Sequence, residues 1–204
     1  LVSTILAKET QPVEKTNTVL DFLILPPFSL LHINRLTDDT GIIQHAKYGI
    51  PNLKEGYCLD DNARALLMVL MAYRQMKDAR ALELSPIYLS YINYMQNADG
   101  TFRNFLSFNR NFLDEVGSED SFGRTIWALG YLLGNAPNDA YFQAGSGVFF
   151  NAAPNFEKLT SIRGIANTIM GICYYLKTNP SDDSMTERLR NMALKLISHF
   201  QENK

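Results

Sequence analysis

Three stretches of this chain are apolar almost all the way round a helix: residues 65–73 (ALLMVLMAY), 125–133 (TIWALGYLL) and 165–176 (IANTIMGICYYL). A helix of that kind must be buried on every side, which places all three in an inner layer. The segments between and after them are of another type. From Ser85-Pro86 onward, Ile87, Tyr88, Tyr91, Ile92 and Met95 fall at the i, i+3, i+4 spacing of a half-buried helix, with Pro86 suited to its first turn. A second outer helix is expected after Pro137. The last segment sets Leu189, Met192, Ala193, Leu196, Ile197 and Phe200 against Arg188, Arg190, Asn191, Lys195 and His199, and Ser184 with Glu187 has capping-box spacing. No period-2 run of β-branched residues competes, so the expected class is all-α.

Aligning Ala63-Arg64, Gly123-Arg124 and Ala166-Asn167 gives a common frame of a small residue, a polar one and an apolar run, with Asp60, Asp120 and Arg163 ahead of it. That is a helical-hairpin repeat of uneven loop length. Inner and outer helices alternating in hairpins predict an α/α toroid. An open α-solenoid is the alternative, although its two layers seldom differ this much in all-round apolarity.

In a toroid the inner helices all run the same way, so their N-termini and partial positive charges gather at one end of the ring. Asp60, Asp61, Glu119 and Asp120 would line that funnel, with Arg64 and Arg124 a turn deeper. Paired carboxylates serve glycoside chemistry, one protonating a leaving oxygen and the other acting as base or nucleophile. A structural reading competes: Asp is a favoured N-cap, Asp60 with Arg64 is an i, i+4 ion pair, and acidic loops such as Asp114-Glu115 are commonly just solvated.

The polar segment at residues 36–51 adds ligand-facing chemistry. Tyr48 and Tyr57 offer rings that stack on a sugar face, and Gln44 and His45 offer hydrogen bonds to hydroxyls, unless His45 is a satisfied core residue. The run QNADGTF (residues 96–102) reads as a hairpin-linking turn, with Gly100 at positive φ and Phe102 as its anchor. Trp127 is expected to pack in the core, its indole N–H being the one group that could serve a ligand.

A net charge of −2 and a pI near 5.9 supply no basic field for a phosphate backbone, so nucleic acid is not an expected partner. His32, His45 and His199 lack metal-ligand spacing, and there is no phosphate-cradling glycine loop or serine nucleophile elbow, so no metal or cofactor is expected. The two cysteines, Cys58 and Cys173, make no disulfide framework and fit a reducing cytoplasm. The apolar run at residues 19–33 is interrupted by Asp21 and Pro26-Pro27, too broken to span a bilayer, and residues 1–7 lack the basic start of a signal peptide.

The segment TDDTGIIQHAKYGIPNLKEGYCLDDNARAL (residues 37–66) resembles a bacterial domain of the six-hairpin glycosidase-like class, one associated with glycosyltransferases and mannoside-processing enzymes. The likeness continues through GTFRNF (100–105), SEDSFGRTIWALG (118–130) and TSIRGIANTI (160–169). It implies an incomplete (α/α)6 toroid and a carbohydrate ligand. The pocket residues it implies are His45, Tyr57, Asp60, Asp61, Arg64, Glu119, Asp120, Arg124 and Arg163. Six hairpins of about 50 residues need about 300. Residues 1–204 are therefore read as one domain, the N-terminal half of such a ring, with about seven helices; the initial Leu fits an excised piece. The functional expectation is a glycoside-hydrolase-like domain. The runner-up is a non-catalytic sugar-binding or scaffolding module of a glycosyltransferase, and the third is an α-solenoid interaction domain. The open edge is expected to be covered by self-association, by the other half of the ring, or by residues 18–35 folding over it.

Overall fold

The computed structural model describes residues 27–202. The expectations for residues 1–7, for residues 19–26 of the apolar run and for residues 18–26 of the folded-over cover concern residues outside that span. The fold is all-α, with seven α-helices among the described residues: α1 (Leu31–Leu36), α2 (Leu59–Met76), α3 (Ala79–Met95), α4 (Glu119–Leu133), α5 (Asp139–Ala152), α6 (Ile162–Leu176) and α7 (Asp183–Glu202). A 3-10 turn at Ala153–Lys158 follows α5. Two small antiparallel ribbons complete it: β1 (Ala46–Lys47) with β2 (Ile50–Pro51), and β3 (Tyr57–Cys58) with β4 (Phe105–Leu106).

The helices form two layers. Helices α2, α4 and α6 pack side by side, and each also packs against the helix that follows it, α3, α5 or α7. This is the expected alternation of inner and outer helices. The α4–α6 seam is the tightest. Gly123 and Gly130 of α4 face Gly164 and Gly171 of α6, and a Cβ at any of the four would collide with the backbone of the other helix. The seven-residue spacing on both helices keeps each pair on the contact face through two turns. The core on either side of this seam is filled by Leu66, Ile92, Met95, Ile126, Leu129, Phe149 and Phe156, all fully buried.

Local chemistry sets the helix ends. Ser118 and Ser161 cap α4 and α6 by accepting from the Ser121 and Gly164 amides. Cys58 holds the cap position of α2, so Asp60 is a first-turn residue there and not the N-cap. The turn at residues 96–102 forms as expected, with Gly100 at φ +80° against the Asn151 backbone and Phe102 buried.

Three details differ from expectation. Pro86 lies inside α3 and not in its first turn. The helix tolerates it because the Ser85 hydroxyl donates to the Leu82 carbonyl at 2.5 Å, replacing the amide that proline lacks. The cap of α7 is Asp182, which accepts from the Met185 amide at 2.9 Å, so the helix starts ahead of the Ser184 box. The inner helices are also not buried on every side. Residues 60, 64, 68 and 71 of α2, 120, 124 and 127 of α4, and 163, 167 and 170 of α6 form partly or fully exposed stripes. Each stripe runs from charged groups at the N-terminus to Met68 and Met71, Trp127 and Met170 deeper in.

Candidate functional site

Asp60, Asp120 and Arg163 are each the second residue of an inner helix, which puts them at one level on one end of the layer. Their side chains join in an alternating row. Arg64 donates to Asp60 at 3.0 Å and to Asp61 at 2.5 Å. The Arg124 guanidinium bridges α2 and α4, reaching Asp60 Oδ2 at 3.2 Å with one nitrogen and Asp120 Oδ2 at 3.2 Å with the other. Arg163 then reaches Asp120 Oδ2 from α6 at 3.3 Å. Three acids face three arginines, so the row is neutral overall, and carboxylates in the first turns also complement the helix dipoles.

The pairing leaves acceptors over. Asp120 Oδ1 is shielded and has no hydrogen-bond partner among the described residues. Asp60 Oδ1 lies 3.1 Å from an Arg124 nitrogen without hydrogen-bond alignment. Burial pushes the Asp60 carboxyl above the usual aspartate range, more than Arg64 and Arg124 pull it down. One turn below Arg124, the Trp127 indole N–H is likewise shielded without an acceptor. Residues 120, 124 and 127 share one helix face, so the carboxylate, the guanidinium and the indole follow one another down the stripe.

Other acids on this end hold the loops. Both Glu119 oxygens turn toward α6, accepting from the Thr160 and Ser161 amides at 2.7 and 2.5 Å and from the Thr160 hydroxyl at 3.1 Å. Burial pushes the Glu119 carboxyl up, but these donors outweigh it and hold its pKa below the ordinary value. Glu119 thus pins the loop before α6 and, unlike Asp120, stands apart from the row. Asp114 does the same for the strand after α3, taking the Asn104 and Phe105 amides. Asp38 closes the first loop by accepting from the Thr40 and Gly41 amides and from the Tyr57 hydroxyl at 2.6 Å.

Of the nine expected pocket residues, Asp60, Asp61, Arg64, Asp120, Arg124 and Arg163 come together. Glu119 neighbours them in a clamping role. Tyr57 is 1% exposed and locked to Asp38, so its ring is a core element and cannot stack on a sugar. His45 stands exposed at the β1–β2 hairpin, beside a shallow cleft of about 480 Å³ shared with Tyr48 and Asn52. Asn62 had no role in the expectation beyond its place beside the acids. It is fully buried, accepts from the Ile42 amide at 2.9 Å and donates to the Cys58 carbonyl at 2.9 Å, fixing the first loop to α2. An amide inside an otherwise apolar helix face was the available signal.

No protein-family model matches the chain, and no curated protein is significantly similar to it. Among the described residues no His, Cys, Asp and Glu cluster is placed to hold a metal ion, and no helix is long and apolar enough to cross a membrane.

Proposed function

We propose that this chain is a carbohydrate-active domain, part of an (α/α)6 toroid of glycoside-hydrolase type, whose inner-helix N-termini hold a glycan. The observation that carries the reading is the row from Arg64 through Asp60, Arg124 and Asp120 to Arg163, at matched positions of three helices above the stripe that holds Trp127. Planar donors and acceptors at short intervals complement the hydroxyls of a sugar, each of which both donates and accepts. The half-buried indole adds an apolar face against which a sugar ring can pack.

Hydrolysis is supported by the carboxylates. Asp60 and Asp120 share one guanidinium, so their nearest oxygens lie within about 9 Å, inside the span over which glycosidase carboxylate pairs operate. The raised pKa of Asp60 is the direction required of a general acid, which leaves Asp120 as the base. A second reading, a non-catalytic sugar-binding module, is favoured by Arg124 itself, whose guanidinium fills the gap that a glycosidic oxygen and a water would need. The third reading, a protein-interaction domain, draws on an apolar groove of about 550 Å³ between α3 and α5, lined by Pro86, Leu89, Ala140, Tyr141 and Ala144.

A panel of mannosides, glucosides and galactosides tests the proposal, with binding read on an array and hydrolysis by chromatography of released sugars. Wild type should bind at least one class, and Arg124→Ala, checked for folding by circular dichroism, should lose it. Released sugar distinguishes the hydrolase from the binder. A folded wild-type chain that binds no glycan contradicts both.

The proposal extends to the exposed flank of α6. Among the described residues, Ile162, Met170 and Cys173 of α6 are exposed, as are Leu194 and Ile197 of α7. We assign this flank to self-association or to the remainder of the ring, and the domain to the cytoplasm. Light scattering after size exclusion at micromolar concentration should give a dimer, and a monomer near 23 kDa contradicts self-association.

A further inference from the structure

We propose that the β1–β2 hairpin and the side of α1 beneath it form a contact surface for an anionic lipid bilayer. The proposal is independent of the carbohydrate reading.

The hairpin turns through Tyr48 and Gly49, at φ 55° and 77°. Positive φ at both central residues is the turn that asparagine and glycine favour, so a tyrosine there is held in a conformation it seldom adopts. Its side chain is 92% exposed, and Ile50 beside it is 70% exposed. Neither side chain fills a core, and the turn would close more readily with Asn-Gly. The stem below is only two residue pairs long, Ala46 with Pro51 and Lys47 with Ile50. A projecting apolar tip that the fold itself does not use points to something outside the chain.

Cations surround the tip. Lys47 is paired with Ile50 across the hairpin, so their side chains leave the same face, and its Nζ stands 5.7 Å from the Tyr48 ring centre. From below, α1 packs on β2 and brings Arg35 so close that a Cβ at Gly49 would lie 2.7 Å from its Nη1. Leu31, one turn earlier on the same face of α1, is exposed, and so are Leu53 and Lys54 in the turn after β2. Arg35, Lys47 and Lys54 form no ion pair among the described residues. Of the acids nearby, Asp39 is taken by Arg110 and Asp38 by the Tyr57 hydroxyl. Glu55 is the one acid in residues 40–57, and it accepts from the Asn52 side chain at 3.3 Å.

Exposed apolar groups ringed by unpaired lysine and arginine suit a surface that rests on anionic lipid. The aliphatic tips enter the headgroup boundary, a tyrosine ring sits at that level with its hydroxyl in water, and the cations stay with the phosphates. The convex shape favours lipid over a protein partner, because a projecting tip needs a matching pocket in a protein, whereas fluid lipid closes round it. Three cations and a few shallow side chains give reversible, peripheral attachment.

Vesicle flotation tests this, with phosphatidylcholine alone and with phosphatidylcholine mixed with phosphatidylserine. Wild type should float with the mixed vesicles, bind the neutral ones more weakly, and come off as salt is raised. Lys47→Gln and Lys54→Gln should each weaken binding about fivefold. Ile50→Ser and Tyr48→Gly should each weaken it about tenfold, one large side chain being withdrawn from the headgroup boundary. Glycine suits the backbone at position 48, so Tyr48→Gly keeps the turn and its loss of binding reports the missing ring. Equal binding to neutral and anionic vesicles, or binding to the mixed vesicles that all four variants retain, overturns the proposal. Wild type that ignores both kinds of vesicle also overturns it, and leaves a protein surface as the partner for the tip.

Discussion

The two ends of the inner helices are built differently. At the C-terminal end the chain turns back quickly: residues 77–78 link α2 to α3, 134–138 link α4 to α5, and 177–182 link α6 to α7. Lys77 makes the first turn in the left-handed region at φ 57°, and Arg74 donates to Asn135 to tie two turns together. At the N-terminal end the connections are residues 37–58, 96–118 and 153–161, long enough to carry both ribbons and several exposed aromatics beside the charged row of the helix first turns. Short turns leave no room for anything except closure. Long loops pinned by Asp38, Asp114 and Glu119 on a rigid scaffold are where binding residues are commonly held, which is why the proposed function is placed at this end.

If that division holds, the largest effect on stability should come from a position with no part in binding. Gly130→Ala at the α4–α6 seam drives a methyl into the Gly171 backbone and should cost about 3 kcal/mol, the upper end of overpacking penalties. Urea unfolding checks this, and any folded fraction should bind glycan normally. Arg124→Ala comes next, at about 2 kcal/mol, below the cost of breaking a fully buried pair because Asp60 and Asp120 keep about a fifth of their surface in water. Unlike the seam variant, it should abolish glycan binding. Arg64, half exposed, should cost less than about 1 kcal/mol when replaced by alanine, yet still weaken binding. Equal losses of stability in the Arg64 and Arg124 variants would break the distinction between a bridge and a rim.

The acids separate in pH dependence. Glu119 has a folded pKa below its unfolded value, so its contribution is present above the ordinary glutamate pKa near about 4.3 and is lost as pH falls through the folded value. Asp60 has the opposite sign: raised in the folded state, it favours folding at low pH and that benefit fades as pH rises through its folded pKa. Thermal melts from pH 3 to 6 should therefore show Glu119→Gln with a flatter acid limb than wild type. An unchanged limb would remove Glu119 from its clamping role.

Much of this was legible before any coordinates. All-round apolarity marked the inner helices, and the small–polar–apolar frame aligned Asp60 with Asp120 and Arg163 because a charged residue recurs at one helical level. The glycine seam was present in the same strings, but a seven-residue glycine spacing on two helices becomes a contact only once their register is known. The role of Glu119 was hidden for a related reason. Adjacent carboxylates in a first turn point about 100° apart, so one joined the row while the other turned to α6. Tyr57 misled because an aromatic in a polar segment looks available, and only its burial and its bond to Asp38 reveal it as part of the core.

Chemical-shift mapping of a bound glycan tests the central claim most directly. With the best ligand from the panel titrated into labelled protein, amide shifts should concentrate at residues 60–64, 119–124 and 160–167 and in the long loops around them. Residues 77–78, 134–138 and 177–182 should stay silent. Shifts centred on the short turns, or on the groove between α3 and α5, would contradict the assignment of binding to the inner-helix N-termini.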